Sequence, residues 1–221
     1  MVDQGPPSGM QATWRGYAPA QLIYWSNNVR GLNVPEKRFQ LMRRLWSART
    51  SVAFLQETHF RNRDAPKLEN RRLPTAYCAN HPEARKAGVA ILFAHTTPFQ
   101  CTATKADPNG QYLFLKGTIA DHTYTFACLY NPNRKQHTFI SWTLAKLGSF
   151  REGLLVVAGD LNLQLDPHLD TSRGHSAVPH TAYEQHSGLC TRQDWWIAGG
   201  RAIQKTGTTP ITRMSTHITA V

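Results

Sequence analysis

The chain has 221 residues, 41% of them hydrophobic, which is enough to bury a core and makes one domain the default. Twenty-five Lys and Arg against fourteen Asp and Glu leave a formal net charge of +11 and a pI near 9.9, pointing to a polyanionic partner, nucleic acid before anionic membrane. No apolar run approaches the ~20 residues that cross a bilayer, and residues 1–20 lack the apolar stretch of a secretory signal.

Residues 1–18 read as a flexible leader, polar with Gly and Pro. The first strand signal is Leu22-Ile23-Tyr24-Trp25, ending in Ser26-Asn27-Asn28. Pro35 to Ala48 predicts a helix, with Pro at its start, Phe39, Met42, Leu45 and Trp46 at helical spacing, and Arg38, Arg43 and Arg44 outside. Strand signals recur at 51–57, 88–94, 112–119, 124–130 and 154–160. Between the last two, His137 to Phe150 predicts a second amphipathic helix with Phe139, Ile140, Leu144 and Leu147 on its apolar face. Strands interleaved irregularly with helices, several in hairpin-like pairs, suggest a mixed sheet sandwich with helices outside. The cysteines Cys78, Cys101, Cys128 and Cys190 form no CxxC pair and fit a reducing compartment, nucleus or cytoplasm, rather than secretion.

Chemistry gathers where strand signals end. Leu154 to Ala158 runs into Gly159-Asp160-Leu161-Asn162, placing a carboxylate and a carboxamide two residues apart on one face of the backbone. These suit a hard cation and an attacking water better than a core. Glu57, in Gln56-Glu57-Thr58-His59, is the strongest metal candidate, because a carboxylate closing a buried strand is costly without a cation or strong donors. Asn28 supplies an uncharged oxygen to a metal or phosphate, or serves the turn before Gly31. Tyr130, in Tyr130-Asn131-Pro132-Asn133, places a hydroxyl near a phosphate or is an amphipathic strand-end aromatic. His59 reads as a structural turn residue. Arg30, Arg61, Arg63, Lys86 and Arg134 lie in loops around these ends and are the candidate DNA contacts.

Asn28-Val29-Arg30-Gly31-Leu32-Asn33, Gln56-Glu57-Thr58-His59, Ala87-Gly88-Val89-Ala90-Ile91-Leu92, Leu129-Tyr130-Asn131-Pro132-Asn133 and Gly159-Asp160-Leu161-Asn162 together resemble the endonuclease/exonuclease/phosphatase superfamily. Within it, the likeness is to the apurinic-endonuclease-like domain of non-LTR (LINE-type) retrotransposons. The five motifs stand in order over roughly residues 20 to 186. The resemblance implies an α/β fold, a four-layer α/β-sandwich of two mixed sheets flanked by helices. It implies a Mg2+-dependent DNA endonuclease, with Mn2+ as an alternative metal. Asn28, Glu57, Asp160 and Asn162 would serve the metal, and Tyr130, Asp160 and Asn162 the catalysis. DNA would be the partner, with no membrane involved.

The family also needs an Asp in a Ser-x-Ile-Asp-type segment and a His in a C-terminal Ser-Asp-His, and neither is present. Residues 19–186 thus read as an incomplete domain lacking C-terminal strands, and 187–221 as a non-homologous tail without strand alternation. Back-translated and read one base earlier, Ala202 to Thr219 permits the string HPKDRDYTYYSHVHTYN, and Asp194 to Arg201 permits one beginning LVD and running through a Trp-Arg pair. Both look like the segment expected here in LINE-type endonucleases. A reading-frame shift near residues 187–193 explains the tail; a divergent but genuine tail is the competing view. Activity is then expected to be impaired, and the alternatives are a non-catalytic nucleic-acid-binding remnant or an abasic-site repair endonuclease.

Overall fold

The computed structural model describes residues 22–131, 136–161, 195–198 and 201–203. The leader therefore lies outside the described residues, as does most of the tail. Strands β1 (Tyr24–Asn28), β2 (Val52–Gln56), β3 (Thr75–Ala79) and β4 (Val89–Phe93) form one sheet in the spatial order β1-β2-β4-β3. The second sheet runs β10-β9-β8-β7-β6-β5, from β5 (Phe99–Ala106), β6 (Tyr112–Ile119), β7 (His122–Tyr130), β8 (Leu154–Asp160), β9 (Trp195–Ala198) and β10 (Arg201–Ile203). Both sheets are mixed: β1 runs parallel to β2, and β7, β8 and β9 are parallel, while the other pairings are antiparallel.

Burial on both faces explains why β2 and β4 are almost wholly apolar. Val52 and Phe54 turn toward the second sheet, whereas Ala53 and Leu55 meet helix α1 (Pro35–Ser47). The same alternation sends Phe126, Cys128, Val156 and Ala158 into the seam between the sheets. Ala127, Leu129, Leu155 and Val157 turn instead to helix α2 (Gln136–Phe150), which packs through Ile140, Leu144 and Leu147. The layers are therefore helix, sheet, sheet, helix, the four-layer α/β-sandwich expected. Aromatic rings fill the seam: Phe93 stacks on Phe99 at 4.3 Å, and Phe126 touches Tyr24, Phe54, Phe93, Phe99 and Tyr124.

Several expectations are corrected. Strands β3 and β5 were not among the strand signals; both lie at sheet edges, and β5 alternates small and polar residues that carry little hydrophobic signal. The tail, read as strandless, contributes β9 beside β8, a segment of four residues, too short to show a period. On α1 the buried residues are Leu41 and Leu45, while Phe39 and Trp46 are exposed. Spacing alone cannot choose between two apolar stripes of one helix; the sheet's small outer residues Ala53 and Ala90 admit the leucines.

Candidate active site

The parallel register sets Asn28 beside Gln56 at the ends of β1 and β2, with Glu57 next in chain. In the other sheet it sets Tyr130 beside Asp160 at the ends of β7 and β8. Asn28 joins the two sheets: its Nδ2 donates to Glu57 Oε1 and to Asp160 Oδ2, each at 2.8 Å. Glu57 Oε2 lies 3.3 Å from His59 Nε2. Burial, reinforced by the charge of Glu57, a hydrogen bond to Glu57 and the charge of Asp160, pushes the Tyr130 hydroxyl up to about 12, so it stays protonated at neutral pH.

Local backbone chemistry explains why the motifs have these residues. The segment 57–59 is pinned from both sides. Gly31 and Leu32 donate backbone N–H bonds to Glu57 and Thr58 carbonyls, while Thr58 and His59 donate to Gly88 and Ala87 carbonyls. Asn33 Nδ2 also donates to the His59 carbonyl. The segment is held in an unusual conformation, with positive φ at Glu57 and His59 and, beside them, at Arg30 and Ala87. Gly88 is required twice over: its φ is +90°, and a Cβ there would overlap Thr58 Oγ1. Gly159 is required by close approach, since a Cβ would run into the Leu129 backbone. Asn131 fixes the end of β8, donating its N–H to the Asp160 carbonyl and its Nδ2 to that of Leu161.

Four sequence-predicted residues thus converge: Asn28, Glu57, Tyr130 and Asp160. Asn162 and Arg134 lie outside the described residues. The sequence reading gave His59 only a structural part, yet its ring sits against Glu57; the positive φ that turns it there leaves no mark in a single sequence. Asn131 stands inside the motif Tyr130-Asn131-Pro132-Asn133, and its internal position gives no separate signal. Among the basic candidates, Arg30 adjoins the site, its N–H donating to Asn28 Oδ1. Arg61 pairs with Asp64, which Arg85 also reaches at 3.4 Å. The hydrogen bond from Arg61, with its charge and the contact from Arg85, holds the Asp64 carboxyl down to about 2. Arg63 and Lys86 are exposed, Arg63 in the turn Asn62–Asp64 and Lys86 just before Ala87-Gly88.

Two carboxylates converging on one amide make a hard-oxygen donor set that fits a small divalent cation, which commonly takes one or two carboxylates and completes its shell with water. Among the described residues no group of three His, Cys, Asp or Glu side chains forms a ligand cluster. Asn28, expected to offer oxygen, turns its nitrogen to the carboxylates, because two adjacent anionic acceptors call for the amide's two donors. A half-turn of that amide would offer oxygen to a cation and would give up the bond that Oδ1 accepts from the Arg30 N–H.

Residues 26–214 match the model of the Endonuclease/Exonuclease/phosphatase family, and the chain belongs to that family. Among solved structures it is similar to an AP endonuclease from Archaeoglobus fulgidus (17% identity, 76% of this chain and 70% of that chain covered, TM-score 0.51). It is also similar to the Xenopus laevis APE2 catalytic domain (18%, 74% and 63%, TM-score 0.50). A third is D. rerio TDP2 complexed with single strand DNA product (18%, 65% and 62%, TM-score 0.50). At these identities the likeness is one of fold, and the chain spans about three-fifths of the TDP2 and APE2 structures. Among the described residues no helix is long and apolar enough to cross a membrane.

Proposed function

We propose that the chain derives from a metal-dependent DNA endonuclease of the LINE-type retrotransposon kind, which nicks DNA by phosphodiester hydrolysis. The observation that carries this reading is the Asn28 amide joining Glu57 and Asp160 across the two sheets. Glu57 and Asp160, with Asn28 and Asn162, would hold Mg2+ or Mn2+, which when bound neutralises phosphate charge and eases deprotonation of water. Asp160 accepts the proton of the attacking water, whose oxygen forms the new bond to phosphorus as the bond to the 3′-oxygen breaks; the released 3′-oxygen takes a proton from solvent, leaving a 3′-hydroxyl and a 5′-phosphate. Tyr130, neutral at physiological pH, donates its O–H toward a phosphate oxygen or holds Glu57 in place. Arg30, Arg61, Arg63, Lys86 and Arg134 grip flanking phosphates, consistent with the net charge of +11. DNA as substrate is consistent with work in the nucleus or cytoplasm.

The family's further Asp and His are not found in residues 187–221, which we attribute to a shifted reading frame; codons incompatible with the earlier frame would overturn that attribution. Groups acting as a unit lose activity steeply when one is removed, so turnover is expected to be weak. That same loss favours a second reading, a nucleic-acid-binding remnant. A supercoiled-plasmid nicking assay with Mg2+ decides between them. Weak nicking by the parent that falls roughly 100-fold in Glu57→Ala, Asp160→Ala supports the endonuclease. Equal activity in parent and double variant, both folded, leaves only binding. An abasic-site duplex in the same assay tests for a repair preference.

A further inference from the structure

Helix α1 carries two apolar stripes and the sheet uses one. Leu41 and Leu45 pack against Ala53, Leu55, Ala90 and Leu92. At ~100° per residue, Phe39, Arg43 and Trp46 project from the opposite side. Phe39 is 60% exposed and Trp46 50%. Each ring has a guanidinium against it: Arg43 lies 6.0 Å from the Phe39 centroid, and Arg72 stacks on Trp46. Arg43 and Arg72 are themselves exposed, as are Arg44, Arg49 and Arg71, and among the described residues none of the five pairs with a carboxylate. From Pro35 to Arg49 there are five basic residues and one acidic, Glu36, which sits in the first turn.

Candidate partners make different demands on such a face. A protein partner also favours aromatic rings and arginines, but it must bring carboxylates to match these arginines, which pair with none among the described residues. An acidic peptide would meet the arginines and leave the ring faces unused. Duplex DNA would offer phosphates, its bases already stacked inside. A single strand uses both features, bases against the rings and phosphates on the arginines. The eight residues from Phe39 to Trp46 cover seven rises, ~10 Å of helix, about three stacked nucleotides at ~3.4 Å each. The strip begins near the candidate active site, where Lys37 Nζ donates to the Arg30 carbonyl, and leads away over the outside of the first sheet.

We propose that the Phe39–Arg43–Trp46–Arg72 face is a docking site for single-stranded DNA, distinct from the strand-end site. The test is fluorescence anisotropy of the full chain with labelled oligo-dT and with a hairpin duplex of equal length. Phe39→Ala, Trp46→Ala is expected to weaken oligo-dT binding about tenfold or more, with duplex affinity and thermal midpoint held. Phe39→Tyr, Trp46→Phe keeps two rings and should restore affinity. Arg43→Glu, Arg72→Glu keeps the native rings and should weaken oligo-dT binding and flatten its salt dependence by about one to two counter-ions. Oligo-dT binding is read without metal and requires no cleavage, which separates failure here from failure of the nuclease reading. Unchanged oligo-dT affinity in the ring and charge variants, equal losses on single strand and duplex, tighter binding of oligo-rU, or displacement by polyglutamate at lower concentration than by oligo-dT would each overturn the assignment.

Discussion

The seam between the sheets and the rim where the strands end are made of opposite materials. In the seam, Phe54, Phe93, Phe126 and Ile91 are at most 1% exposed and touch one another as hydrocarbon and ring. At the rim, four of the six non-glycine residues with positive φ among the described ones gather around two carboxylates that share one amide. The seam supplies free energy by removing apolar surface from water, and the rim spends conformational strain to aim side chains. Stability and chemistry therefore sit on the same strands but on different residues, and they can be perturbed apart.

The largest effect on stability is expected in the seam. Phe126→Ala removes a ring in contact with five others and should cost about 3–5 kcal/mol in chemical denaturation. A loss below about 1 kcal/mol would mean that the seam is not the stabilising region. Next is Gly88→Ala, which tests whether the rim also bears on folding. A methyl group there strains a +90° φ and pushes into Thr58, itself wholly buried, for about 2–4 kcal/mol. Because Gly88 and Ala87 carbonyls hold Thr58 and His59, this variant should also lower any nicking activity, which Phe126→Ala should not do while it remains folded.

The same division explains what a sequence reader can see. The strand ends were legible because Glu57, Tyr130 and Asp160 close apolar runs, and apolar runs are what a buried strand demands on both faces. The amide bridge was not, since the partners of Asn28 stand 29 and 132 residues away and meet only through the packing of two sheets. His59 escaped for another reason: the left-handed turn that carries its ring to Glu57 is imposed by backbone bonds from two other loops. The outer helix misled in a third way, with Phe39 and Trp46 looking like core until Leu41 and Leu45 took the sheet. Edge strands β3 and β5 stayed hidden because half-exposed strands need no strong apolar pattern.

Alkaline pH probes the seam more gently. Burial pushes the Cys128 thiol up to about 12 from an ordinary 9.0, against weaker opposing hydrogen bonds from Gln56 and the backbone. Below pH 9 the thiol is protonated in both states and contributes no pH dependence. Above it the unfolded chain loses the proton while the folded chain keeps it, so stability falls as pH rises toward 12, by up to about 1.4 kcal/mol per unit. Denaturation at about pH 8 and pH 10 should show that slope in the parent, and Cys128→Ala should reduce it.

The smallest change should go the other way and bears on the rim alone. Ala87 holds φ +49°, next to a glycine that needs its own left-handed angle. An alanine there bears roughly 1–2 kcal/mol of local strain, which glycine would not. Glycine also gives the unfolded chain more freedom, which offsets about 0.4–1 kcal/mol of the relief. Ala87→Gly should then raise stability by about 0.5–1 kcal/mol, read as a shift in denaturant midpoint at constant slope. The His59 N–H bonds the Ala87 carbonyl rather than its methyl group, so nicking and DNA affinity should stay at parental levels. If the variant were instead destabilised, the Ala87 methyl would be contributing more than its angle costs, and the strain at the rim would be compensated residue by residue rather than supplied by the seam.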